Sequence, residues 1–219
     1  MRIRGIAVTI ATCAVTVLGT QTDAGERRSY RVDPAKSQVV IRVGRAGLFK
    51  FAGHEHEVLA PHFVGEIQTD GGDVGRARVD LTFEAAALRV TGKGEPPEDV
   101  PKVHARMIGG DVLDVARFPS VTFRSTAVTG RSSGEGIYDL SITGELTLHG
   151  VQRSMVVPVR VVLSAGTLQA TGSIVLGQTD FGITPVSVAG VVKVQNELRI
   201  DFSIVAGDGV AVTAARPGD

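Results

Sequence analysis

Tryptophan is absent from this 219-residue chain, and the single cysteine, Cys13, lies in the first apolar stretch. With one thiol no disulfide can form within the chain, so apolar packing has to supply its stability. Aromatic residues make up 5% of the sequence, too few for the flat aromatic slot that a haem with an axial histidine would need. Neither sign of charge is in excess, with 23 Lys and Arg against 23 Asp and Glu. Without a basic patch, nucleic acid and anionic membrane surfaces are poor partners. There is no Gly-x-Ser-x-Gly elbow, no glycine loop cradling a phosphate ahead of a helix, and no internal repeat. The Asp180-Phe181-Gly182 triplet has none of the other kinase motifs around it.

The longest early apolar run, Ile6 to Leu18, covers about 13 residues where a membrane span needs about 20. Arg2 and Arg4 precede it, and Thr22-Asp23-Ala24 follows with small residues at the positions a signal peptidase reads. The expectation is a signal peptide over residues 1–24, a single domain over 25–206 and a disordered tail over 207–219. That implies a periplasmic or secreted protein with no stable membrane insertion after cleavage. Cys13 would leave with the leader, so no cysteine nucleophile would remain.

What the sequence has in abundance is alternation. Leu140, Ile142, Leu146 and Leu148 face one way, and Ser141, Thr143, Glu145 and Thr147 the other. Val79, Leu81 and Phe83, then Leu198, Ile200, Phe202 and Ile204, repeat the pattern. Successive strand side chains point to opposite sides, so each strand has one dry and one wet face. Strands are expected at 30–32, 37–43, 63–69, 76–84, 120–128, 137–148, 154–164, 167–176 and 197–206. Turns fall at Asp33-Pro34, Asp70-Gly71-Gly72, Ser132-Ser133-Gly134, His149-Gly150 and Ala165-Gly166. Gly144, inside the longest strand, marks a bulge or bend. Residues 25–29 read as polar and loose. Val100 to Met107 has helical spacing, ended by Gly109-Gly110, with Asp111 capping a further helical turn through Val115. Gly177 to Val192 reads as a long crossing loop. The result is an all-β antiparallel sheet folded over one apolar interior, solid or hollow. About eight strands is the size at which a barrel either just fills with side chains or encloses one ligand.

Four stretches together resemble the YceI-like family of exported lipid-binding proteins: Tyr30-Arg31-Val32-Asp33-Pro34 with Ser37; Gly109 to Asp114 running into Arg117 to Ser125; Gly144 to Val151; and Asp180-Phe181-Gly182-Ile183 before a last strand. The resemblance implies an eight-stranded antiparallel β-barrel of extended lipocalin type, with a short covering helix and an apolar tunnel. The tunnel would hold a polyisoprenoid or another long-chain amphiphile. The chain departs from the common pattern in two places. Gln178-Thr179 stands where many members carry an arginine, and the first loop reads Gly53-His54-Glu55-His56.

The ligand-contacting residues expected are Phe83, Phe123, Ile142, Leu146 and Phe202 on inward strand positions, Val103 and Met107 on the helix, and Phe181 at a barrel end. Inward placement means core as well as pocket lining. His54, His56 and His62 offer a second reading, since three histidines and a water form a recognised zinc geometry. The plainer account makes them a polar barrel rim. His104 is expected at the surface, and His149 in a turn with local hydrogen bonds. A third reading is a filled barrel acting through its surface as an envelope-stress or interaction module. The preferred expectation is a non-enzymatic carrier with no cofactor and no metal, whose partner is a long apolar lipid. The oligomeric state stays open, a dimer included.

Overall fold

A computed structural model of the chain describes residues 27–46, 56–71, 73–188 and 192–208. The proposed leader, His54 and Glu55, and residues 209–219 lie outside the described residues. The strands in chain order are β1 (Arg27–Val32), β2 (Gln38–Ala46), β3 (His56–Leu59), β4 (Phe63–Asp70), β5 (Asp73–Glu84) and β6 (Arg89–Val90). After α1 (Val100–Ile108) come β7 (Ser120–Gly134), β8 (Ile137–Leu148), β9 (Val151–Ser164), β10 (Thr167–Gly177), β11 (Ser187–Val188) and β12 (Val192–Asp208).

The long alternating segments form one antiparallel sheet, ordered β1-β4-β5-β7-β8-β9-β10-β12, and β12 pairs back to β1. That last pairing closes an eight-stranded barrel. At the far end β2, β3 and β6 take over from β1, β4 and β5. The register runs Val32 opposite Ala206 and resumes at Gln38 opposite Ser203. Three staves of the barrel are therefore each made of two strands in line. The first break, at Asp33-Pro34, is stitched by Ser37. Its Oγ donates to the Asp33 carbonyl at 2.7 Å and accepts the Val205 N–H at 2.9 Å. Sequence pattern alone missed β3, β6 and β11, because segments of two to four residues are too short to show a period.

Several other expectations need correction. Arg27 to Ser29, expected to be loose, pair with β4 opposite Asp70 to Gln68. Gly207 and Asp208, placed in the tail, continue β12, and the Asp208 N–H donates to the Gly166 carbonyl at 2.9 Å. The β7–β8 turn is at Glu135-Gly136, beyond Ser132-Ser133-Gly134. A polar serine run on an outer face does not by itself end a strand. β9 begins at Val151, straight after a two-residue turn in which His149 and Gly150 have φ of 51° and 73°. Left-handed φ at both central positions twists a hairpin to match its strands. Asp111 caps no helix: residues 111–117 form turns, with Leu113 N–H on the Met107 carbonyl and Val115 N–H on the Ile108 carbonyl. The Asp111 carboxylate instead faces Arg106 at 3.5 Å.

The bulge foreseen at Gly144 lies on the neighbouring strand. The β7–β8 register slips between Ser125 and Ala127, leaving Thr126 as the extra residue opposite the 143–144 pair. Beside it Ser125, 6% exposed, accepts the Val79 N–H at 2.8 Å, a bond that the broken ladder no longer supplies. On the outside, Asp201 of β12 bonds Ser173 of β10, Arg199 at 3.2 Å, and Arg42 of β2. The Ser173 hydroxyl, then the two guanidiniums, hold the Asp201 carboxyl below the usual carboxylate range against the opposing effect of burial.

Two measurements test these joints. Ser125→Ala should cost about 1–3 kcal/mol by denaturant unfolding, since it strands a buried N–H; an unchanged midpoint would mean the bulge is satisfied otherwise. A depressed carboxyl adds stability above its unfolded pKa, which is lost as pH falls through the folded value. The acid limb of a pH–stability curve below about pH 4 should therefore be shallower for Asp201→Asn than for the parent.

Candidate functional site

The inward faces of the barrel do not meet. They enclose a cavity of about 340 Å³, within the range of small-molecule binding sites. Among the described residues its wall is aliphatic and aromatic, with four that carry polar side-chain groups: Thr69 and Asp73 near the β4–β5 hairpin, Tyr138 just after the β7–β8 turn, and Gln178 after β10. On β10 the wall runs from Leu168 to Leu176, about 26 Å of strand at about 3.3 Å per residue. Strand tilt shortens that to about 20 Å along the axis. A space of this shape suits an elongated apolar guest and counts against the filled-barrel reading.

Two glycines help to keep the lumen open. Gly144 and Gly172 share the inward parity of Leu146 and Leu176. A Cβ on Gly144 would stand 2.5 Å from the Phe123 ring and 2.7 Å from the Arg124 carbonyl. One on Gly172 would stand 2.4 Å from the Phe202 ring and 2.5 Å from the Pro158 carbonyl. Each ring therefore lies in a notch on the wall, where a side chain on the glycine would push it towards the axis. A third ring, Phe83, stacks on Phe63 at 4.8 Å between centroids.

Of the residues singled out from sequence, Phe83, Met107, Phe123, Ile142, Leu146 and Phe202 stand on the cavity wall, and Val103 and Phe181 do not. The helix meets the barrel through its C-terminal turn, where Met107 and the following Val112 and Leu113 complete the wall. Val103, four residues earlier, is about 6 Å further along the axis and falls outside it. Phe181 is 2% exposed and belongs to the packed core; Ile183 and Gln178 reach the lumen from its segment instead. Gln178 had a usable signal, since it continues the inward parity of Ile174 and Leu176. Its Nε2 donates to the Gln195 carbonyl at 2.7 Å.

Of the three loop histidines, His54 lies outside the described residues, and His56 and His62 bond to different elements. His56 Nδ1 donates to Glu95 Oε1 at 2.7 Å, and the Glu95 side chain is 3% exposed. His62 lies six residues on, past the β3–β4 break, where its carbonyl accepts the Glu84 N–H. Among the described residues no three metal-ligating side chains cluster. His149 is a turn residue, but its bond is not local: Nδ1 donates at 3.3 Å to the carbonyl of Phe181, and its ring meets Phe118 edge-on at 4.6 Å.

The family model described as the YceI-like domain matches residues 30–206. A UPF0312 protein of Pseudomonas savastanoi pv. phaseolicola is 51% identical over 47 residues; the matched stretch spans 22% of this chain and 22% of that relative's length. Among solved structures, BcnA of Burkholderia cenocepacia superposes with a TM-score of 0.63 at 23% identity, over 80% of this chain and 99% of BcnA. A polyisoprenoid-binding domain from Saccharophagus degradans, implicated in plant cell wall breakdown, gives a TM-score of 0.59 at 13% identity, over 83% and 99%. At such identities the two structures share the fold.

The notch account predicts that Gly172→Ala moves the Phe202 ring off the wall. It should lower stability by about 1–3 kcal/mol, the usual scale of overpacking, and reduce uptake of an apolar fluorescent probe. Unchanged stability together with unchanged uptake would show that the notch does not matter.

Proposed function

The chain belongs to the YceI-like domain family, and on that basis we propose that it carries a long apolar amphiphile, of polyisoprenoid or similar type, inside its barrel. The observation that bears most weight is a closed barrel around a cavity of about 340 Å³ with an almost wholly apolar wall. The polyisoprenoid-binding domain of Saccharophagus degradans, which shares the fold, supports the choice of ligand class.

Magnitudes favour a long chain over a short one. Each buried methylene yields about 0.8 kcal/mol, so ten give about 8 kcal/mol, the scale of a micromolar complex. Association costs about 4–15 kcal/mol before any net affinity appears. A tail of ten carbons therefore binds weakly, while a longer one exceeds the cost without needing a charged anchor. Phe83, Met107, Phe123, Ile142, Leu146 and Phe202 supply the contact.

The proposed role is carriage without transformation. Acid–base chemistry needs titratable groups converging on a reacting atom, and among the described residues the wall offers one carboxylate, Asp73, one phenol, Tyr138, and one amide, Gln178. Arg2, Arg4, the apolar run to Leu18 and the small residues before Ala24 support export, with the protein acting in the periplasm or outside the cell.

Protein purified from its own host without detergent should release a long-chain lipid on solvent extraction, identified by mass spectrometry. Leu146→Trp, which fills the lumen, should weaken probe binding at least tenfold while keeping the β-sheet circular dichroism. Lipid-free native protein whose parent form also takes up no prenyl or acyl probe would refute the carrier role.

A further inference from the structure

The barrel wall has a gap in its side. Counted from the His149-Gly150 hairpin, odd residues of β9 exchange backbone bonds with β8 and even ones face β10. The β9–β10 register runs from the Ala165-Gly166 hairpin to Val159 opposite Gly172 and stops. The next bonds to β10 would fall to Pro158, an even residue, which has no N–H to give. Beyond it, residues 151–157 of β9 still pair with β8, and residues 173–177 of β10 still pair with β12, but not with each other. The two strands therefore part from an apex at Pro158.

Both lips of this gap belong to the cavity on their inner side. Met155 and Val157 of β9 and Ile174 and Leu176 of β10 all stand on its wall. On the outer side, the lips carry Val156 and Val175, 60% and 58% exposed. Only one other described valine exceeds them: Val64, at 68% on β4, four staves from β9 and three from β10. The wide end of the gap is crossed by the segment from Gln178 to Ile183. Arg153 Nε and His149 Nδ1 bond it to the β9 side, through the carbonyls of Asp180 and Phe181. Gln178 Nε2, on the Gln195 carbonyl, and Asn196 Oδ1, accepting the Thr179 N–H, bond it to β12.

We propose that this gap is the portal through which the apolar chain enters and leaves the lumen. The proposal rests on the carrier reading above and adds a route to it. A chain passing sideways between β9 and β10 keeps apolar contact throughout, from Val156 and Val175 outside to Met155, Val157, Ile174 and Leu176 inside. It breaks no backbone hydrogen bond between the strands, because Pro158 has already ended that ladder. The β5–β7 ladder also stops part-way, at Asp80 opposite Arg124, but the strands beyond it carry exposed Arg76, Arg78, Thr129 and Arg131 where the β9–β10 gap carries exposed valines.

The test separates rate from capacity in the full-length chain. Transfer of a pyrene-labelled fatty acid from phosphatidylcholine vesicles is followed by stopped-flow fluorescence, and equilibrium binding of the same probe is titrated in parallel. The double variant Val156→Glu/Val175→Glu should slow transfer and release at least tenfold while the equilibrium capacity stays at the parent level. Val64→Glu, an equally exposed change away from the gap, should leave both at the parent level. Equal transfer rates for parent, double variant and Val64→Glu, with probe still bound by all three, would overturn the portal and leave the carrier reading standing. A parent that binds no probe would overturn both.

Discussion

The fold depends on one constraint: an apolar inner surface whose backbone amides are satisfied in a closed ring while its side chains stay apart. β12 supplies much of the closure. It runs from Val192 to Asp208, bonding β10 along one edge and β2 and then β1 along the other. Without the short β1–β12 register from Tyr30 to Val32, the sheet would end in two free edges over a greasy face, an aggregation hazard. Pairing β1 to β12 joins those two edges at this end of the barrel.

A hollow interior forfeits contacts that a packed core would make, so the wall has to be built to remain open. Short aliphatic side chains provide most of it, and the glycine notches keep two of the rings from reaching the axis. Polar groups are kept to the two ends of the lumen. The same economy accounts for the end structures. The turn of α1 that bears Met107, and the segment through Leu113, fill the span where β6 does not reach β7. The Gln178 to Ile183 segment bridges the span where β9 leaves β10.

Much of this was legible in the residue order. Period-two alternation located the long strands and their inner faces, because burial on one side forces that pattern wherever a strand exceeds about five residues. It also located part of the wall, since Ile142, Leu146, Phe123 and Phe202 follow from parity. What stayed hidden depends on three-dimensional pairing. β3 and β6 are strands because of their neighbours. The bulge moved from Gly144 to Thr126 because a bulge belongs to a pair of strands, and glycine is as useful for the ring it accommodates. Pro158 was visible from the start, yet which edge its missing N–H faces follows only from the hairpin register. Val103 and Phe181 were misplaced relative to the wall for a similar reason: helical spacing and an aromatic loop motif indicate burial without saying against what.

The central claim is that the barrel is a container. The most direct measurement is a crystal structure of protein purified from its native host without delipidation, with electron density examined along the axis. The account predicts continuous elongated density in van der Waals contact with Ile142, Leu146 and the Phe202 ring, attributable to no part of the chain. A lumen whose side chains interlock across the axis, or one filled by ordered water, would contradict it.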